Sequence, residues 1–167
     1  MSMIGEYLRV TPADLSKAIE DPDWAVLLAE AAQDAADTHP EPRPAAARHF
    51  STYKTWDLLR HLLTRAVFPV NVIQGEELFP DPEDWVYGPP RYLPPDRVHE
   101  AADRLTALTY DLLIAGVTPA ELTETEVYPQ HWDAPGSLEW ARPWYEGLAE
   151  FFEAAATDGD AMIIWLD

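Results

Sequence analysis

Six consecutive residues, Ala161, Met162, Ile163, Ile164, Trp165 and Leu166, carry no charge and do not alternate between polar and apolar positions. Successive side chains of a strand point to opposite faces, so a strand with one wet face alternates. An unbroken apolar strand needs cover on both faces. The run therefore predicts a buried strand near the middle of a sheet, with helices packed above and below. The expectation is α/β: one compact three-layer domain over residues 1–167, with a small mixed sheet and the C-terminal strand central. At 167 residues the chain fits one domain of ordinary size.

The rest of the chain supplies that cover. Residues 1–10 read as a strand. Thr11 and Pro12 then form a helix start, with Asp14 near the positive end. Thr118 and Pro119 repeat the device, with Glu121 placed to complete a capping box. A second helix is predicted over residues 23–37, burying Trp24, Leu27, Leu28, Ala31 and Ala35. Prolines in 39–44 break it and make a surface loop. A third helix is read at 53–64 through Tyr53, Trp56, Leu59, Leu62 and Leu63. Residues 66–73 look like an edge strand, limited by Pro69. Residues 80–95 hold six prolines and form a second surface loop, with a short strand near 85–87 or 91–93. Val98, Ala101, Leu105, Leu108 and Leu112 predict one long helix over 95–115, and Gly116 ends it. A last helix from Pro143 buries Trp144, Leu148, Phe151, Phe152 and Ala155.

Thirty Asp and Glu oppose eleven Lys and Arg, a formal charge of −19, in a chain that is 47% hydrophobic. Disordered acidic tails lack such apolar content, so the chain reads as a folded acidic domain. Its sign disfavours nucleic acid and anionic membrane surfaces. No apolar run approaches the ~18 residues of a membrane span, and the opening residues lack the basic n-region of a signal peptide. Cysteine is absent, which fits a cytoplasmic location. Eleven carboxylates in residues 120–167 face Arg142 alone, while Arg43, Arg48, Lys54, Arg60 and Arg65 surround only Asp57. This uneven spread is either a pair of electrostatic poles or neutralisation between neighbours in the fold.

Five segments together resemble a known family. They are Met3 to Tyr7; Lys54 to Leu59 running on to Thr64; Tyr92 to Val98; Glu124 to Pro129; and Asp158 to Ile164. In this order they are similar to the bacterial YfbM-like proteins, the domain-of-unknown-function family 1877, across nearly the whole chain. The resemblance implies a compact three-layer α/β fold; it does not imply an activity. Two positions depart from its pattern. Arg60 stands where the family carries a His four residues after the Trp, with His61 displaced by one, and Arg65 replaces a Gly.

No phosphate-cradling glycine loop, zinc-protease His-Glu-x-x-His or nucleophile elbow is present. His99 and Asp103 share a helix face without a third metal ligand, and His131 with Asp133 reads as a loop pair; no metal or cofactor is expected. Glu124 and Glu126, if extended, share a face and would split their acidities by repulsion, as an acid/base pair requires. Lys54, Trp56, Asp57 and Arg60 form the most mixed cluster, either a helix-docking ion pair beside a buried Trp or a pocket wall. Trp85 and Tyr87 sit on the proline-stiffened loop and suit interface anchors. The candidate binding residues are thus Lys54, Trp56, Asp57, Arg60, Trp85, Tyr87, Glu126 and Tyr128. Without a complete catalytic set, the function expected is a non-enzymatic acidic interaction module for a basic protein, immunity-like in one version. The alternative is a small-molecule enzyme or ligand-binding protein with a site near Trp56, Asp57, Arg60 and Glu126. A third reading is an acidic mimic of DNA, which requires carboxylates spaced like phosphates along one face.

Overall fold

The computed structural model describes residues 2–167. Strand β5 (Ala161–Leu166) lies at the centre of a five-stranded sheet of order β2-β1-β5-β4-β3. Its neighbours are β1 (Gly5–Val10) and β4 (Arg91–Leu93), with β2 (His49–Tyr53) and β3 (Glu77–Leu78) at the edges. The predicted central strand is therefore in place. Every pairing is antiparallel, however, where a mixed sheet was expected. An unbroken apolar strand reports burial on both faces and says nothing of its neighbours' direction.

The pleat divides the core in two. Tyr7, Leu93, Met162 and Ile164 face one side, under α3 (Trp56–Arg65), α4 (Pro95–Ala107), α5 (Tyr110–Ile114) and α7 (Arg142–Thr157). Leu8, Val10, Ala161, Ile163 and Trp165 face the other, under α1 (Pro12–Glu20) and α2 (Pro22–Thr38). This is the three-layer arrangement. Thr11, Asp21 and Thr109 cap α1, α2 and α5, and Thr118 caps α6 (Pro119–Glu124). Each such cap contributes about 1 kcal/mol. The reciprocal half of the Thr118 box is not made, because Glu121 turns its carboxylate to Arg65 at 3.1 Å.

Several elements differ from expectation for identifiable reasons. Helix α2 seats Ala25 and Ala29 on the sheet and leaves Leu27 64% exposed, so its buried stripe is rotated. Alanines allow close approach to the bulky Trp165 below. Helix α3 starts at Trp56, since Tyr53 ends β2 in the left-handed region (φ 53°). Strand β2 itself was not anticipated. Residues 66–73 form no strand. The amide of Phe68 bonds back to the Leu63 carbonyl at 3.0 Å, with Val67 left-handed at φ 55°. This is a Schellman helix stop carrying valine where glycine is usual. The long helix is two: Leu108 leaves helical geometry and Thr109 restarts the chain, which exposes Leu112. Residues 85–87 form no strand; Trp85 and Gly88 close a turn instead.

One buried cation fastens the layers. Arg9 is 4% exposed and donates to Asp160 and Asp158, and to the carbonyls of Ala45, Ala47 and Ala154. It thereby ties β1 to the end of α7 and the turn entering β5. A cation at a helix C-terminus also meets the negative end of the helix dipole.

Candidate functional site

Trp56 opens α3 and is 7% exposed. Its indole N–H donates to the Met3 carbonyl at 3.1 Å, and its ring stacks on Tyr128 with centroids 5.9 Å apart. The Tyr128 hydroxyl accepts from the Met3 amide at 3.2 Å, and the Tyr128 amide donates to Asp57 Oδ2 at 2.8 Å. Asp57 Oδ1 takes the Arg60 Nε–H at 2.6 Å. Trp56, Asp57 and Arg60 are thus brought together with Tyr128, and the Trp56 N–H and both Asp57 oxygens are used internally. The set docks α3 onto the start of β1 and the turn after α6. Trp56 and Asp57 are buried in this joint, whereas the Arg60 side chain is 40% exposed and Glu126 lines another cavity, so the four do not line one pocket.

The remaining candidates scatter. The Lys54 ammonium stands over the Tyr53 ring at 5.3 Å and does not pair with Asp57. Glu124 ends α6, while Glu126 is left-handed at φ 53°, so the two carboxylates share no extended face. Glu126 instead lines a cavity of about 450 Å³ with Gln130, His131 and Asp133. His99 and Asp103 lie 3.4 Å apart on an exposed helix face. Among the described residues no three His, Asp or Glu converge in a way that could hold a metal. Tyr87 lines a different cavity from Trp85.

Trp85 is the candidate whose setting resembles a binding site. It packs edge-on against Trp165 of the central strand, with centroids 5.4 Å apart. These two rings and Phe79 floor a groove of about 470 Å³ between α2 and the proline-rich loop. One wall is α2, through Ala25, Val26, Ala29, Glu30 and Gln33; the other is the loop from Pro80 to Val86. The loop is held in shape by the Trp85 amide donating to the Gly88 carbonyl at 2.9 Å, by Phe79 against Tyr92, and by its prolines. Val86 is left-handed at φ 46° and 67% exposed, a costly placement for a β-branched side chain. Around this apolar floor stand Asp23, Glu30, Asp81, Glu83, Asp84 and Asp167, with no basic side chain among the described lining residues. Gln33 donates to Asp167 at 3.1 Å. The other five carboxylates face water and set a negative potential over an aromatic floor. Such a concavity attracts cations and rejects anions.

Sequence reading named Trp85 but missed the rest of this groove. The acidic cluster beside Trp85 is visible in the sequence as Asp81, Glu83 and Asp84. The facing wall is not, since it depends on which stripe of α2 is turned to the sheet. Glu6 and His49 also went unnoticed. They meet at 2.7 Å on the sheet face beneath α2, with His49 beside Trp165, and both are largely buried. Glu6 Oε2 and His49 Nε2 nevertheless make no well-aligned hydrogen bond.

A family model described as "Domain of unknown function (DUF1877)" matches residues 1–165. A solved structure titled as a protein of unknown function, YfbM from Escherichia coli, superposes with a TM-score of 0.64 at 20% identity. The match covers 96% of this chain and 98% of that one, a likeness of fold. No curated protein sequence matches the chain.

Proposed function

This chain belongs to the DUF1877 family, and we propose that it is an acidic interaction module whose α2–loop groove receives a basic segment of a protein partner. One observation carries the reading: among the described residues, six carboxylates and no cation surround a floor of Trp85, Trp165 and Phe79. A Lys or Arg side chain satisfies both parts of that surface. Its stem covers apolar floor, and its head meets carboxylates or an aromatic face. The loop's prolines restrict its motion before binding, which lowers the ordering cost. The absence of cysteine supports a cytoplasmic setting. Among the described residues no helix is long and apolar enough to cross a membrane. Holding a basic toxin inactive, as an immunity protein does, is a concrete version of this role.

The test is titration of the protein with a fluorescein-labelled decapeptide rich in Lys and Arg, beside an equal-length Glu-rich peptide. Binding of the basic peptide alone is expected, weakening as salt rises because the pairs are exposed. Neutralising the loop by Asp81→Asn, Glu83→Gln and Asp84→Asn is expected to lower affinity about tenfold, at roughly 0.5 kcal/mol per exposed pair. Unchanged affinity in that triple variant, or equal binding of the acidic peptide, removes the groove as the site.

A further inference from the structure

A second cavity, of about 490 Å³, carries balanced charge in place of a ring of carboxylates. It opens between the turn carrying Asn71, Gln74 and Gly75, the loop carrying Tyr87 and Gly88, and Arg91 of β4. Two charged side chains line it, Glu76 and Arg91. Glu76 is already spent. Arg97 grips both of its oxygens, Nε to Oε1 at 2.7 Å and Nη2 to Oε2 at 2.9 Å, and the Asn71 amide adds a third bond. That grip holds the Glu76 carboxyl below its ordinary value, with the hydrogen bond from Arg97 the main cause.

Arg91 is left without a carboxylate partner among the described residues. Lys17, Arg43, Lys54 and Arg104 share that state, but of the five only Arg91 lines this cavity. The base of its side chain is also closely packed. Gly75 sits at φ +82°, and a Cβ built on it would lie 2.7 Å from the Cβ of Arg91. The backbone of the turn thus lies against the base of the Arg91 side chain, and only glycine permits that approach.

We propose that this cavity binds the carboxylate of a small organic acid, received by the Arg91 guanidinium. Guanidinium and carboxylate are planar and match in a two-point bond, which a single ammonium does not reproduce. The cavity size is that of small-molecule sites. Gln74 and Tyr87 belong to the same lining, and both residue types carry hydrogen-bond donors. The overall negative charge repels anions at long range, so nonspecific adsorption is suppressed and binding depends on this one cation. The inference does not rest on the groove reading.

The experiment is a ¹H–¹⁵N NMR titration of the whole protein with sodium acetate, sodium succinate and sodium benzoate, at ionic strength fixed with sodium chloride. A peptide with a free C-terminus and the same peptide amidated form a further arm. The expected result is a saturable shift of the Arg91 Nε–H signal and of the Gly75 and Gly88 amides with at least one small acid. Arg91→Gln is expected to weaken it at least tenfold, and Arg91→Lys to restore only part. Should Arg91→Gln not fold, the wild-type shifts decide: confinement to residues around the cavity supports the site. Shifts that are linear, matched by chloride, spread over the surface or unchanged in Arg91→Gln overturn the proposal. Saturation by the free-terminus peptide alone replaces a small acid with a partner's chain end, and overturns it also.

Discussion

Replacing Arg9 by methionine tests what locks the sheet to α7. The side chain of Arg9 is 3% exposed, and Asp160 accepts from its Nε at 3.1 Å and its Nη2 at 3.0 Å. Methionine keeps much of the apolar stem and removes the guanidinium, whose carbon stands 6.0 Å from the Phe151 ring centre. Breaking a buried pair by taking away one partner costs about 3–5 kcal/mol, because the other charge is left behind. Here Arg48 also reaches Asp160 at 3.0 Å, and its half-exposed side chain can remain there. That argues for the low end, about 3 kcal/mol, a large part of the stability of a domain this size. Asp158 is 61% exposed, so Asp158→Ala is expected to cost less than about 1 kcal/mol. The double variant Arg9→Met with Asp160→Ala removes both charges and is expected to cost less than the sum of the singles, by about 2 kcal/mol. Urea unfolding followed by tryptophan fluorescence measures each variant, with the slope checked for constancy. A cost for Arg9→Met under about 1 kcal/mol, or simple additivity in the double variant, refutes the idea that this pair is the fastener.

Two further outcomes follow from the backbone and the buried phenols. Val67 occupies the left-handed position of a helix stop while 85% exposed, so it gains little from packing there. Val67→Gly is expected to stabilise by about 0.5–1 kcal/mol, the relieved strain less the added freedom of the unfolded chain, and a lower melting temperature would count against it. Tyr7 is fully buried and its hydroxyl has no partner, so Tyr7→Phe is expected to raise stability at pH 7 by about 1 kcal/mol. Burial pushes the Tyr7 and Tyr110 phenols up and Tyr145 up to about 12, from the ordinary 10.0. The unfolded chain ionises first, so these phenols take no stability from the fold below pH 10. As pH climbs from 10 through the raised values, the fold loses stability through them. Tyr7→Phe and Tyr145→Phe are each expected to flatten that alkaline limb in urea titrations, and an unchanged limb would exclude the mechanism.

What the sequence made legible was local or averaged over many residues. The threonine caps, the proline break after α2 and the apolar run of β5 each depend on neighbours within a few positions. What it concealed depended on distance. Val70, Val72 and Ile73 are buried as a strand's residues would be, yet they lie in turns. Their hydrophobicity reports burial, and Val67 and Pro69 set the path. Strand β2 passed unnoticed because His49, Ser51 and Thr52 dilute its pattern. Thr52 is nonetheless fully buried and bonds the Gly5 carbonyl, and a Cβ at Gly5 would strike its hydroxyl at 2.3 Å. Of the Trp56 cluster, Trp56, Asp57 and Arg60 lie together at the start of α3, while Lys54 turns to Tyr53. The cluster's meaning turned on Met3 and Tyr128, whose approach no spacing within α3 reveals.

The charge distribution resolves the same way. The five cations of residues 43–65 suggest a basic pole along the chain, but three of them are committed at short range. Arg48 lies on Asp160, Arg60 on Asp57 and Arg65 on Glu121. Arg142, the sole cation opposing eleven carboxylates in the last third, bonds Asp111 and Glu139. With Arg9 and Arg97 also paired, six of the eleven cations are neutralised by partners. Lys17 and Lys54 stand over aromatic rings. The basic pole is therefore largely consumed by internal neutralisation, with Arg43 and Lys54 left without a carboxylate partner among the described residues. The α2 groove gathers six carboxylates around an aromatic floor, while Arg91 lines the second cavity without an acidic partner among the described residues. The proposed cation and carboxylate sites rest on those two placements.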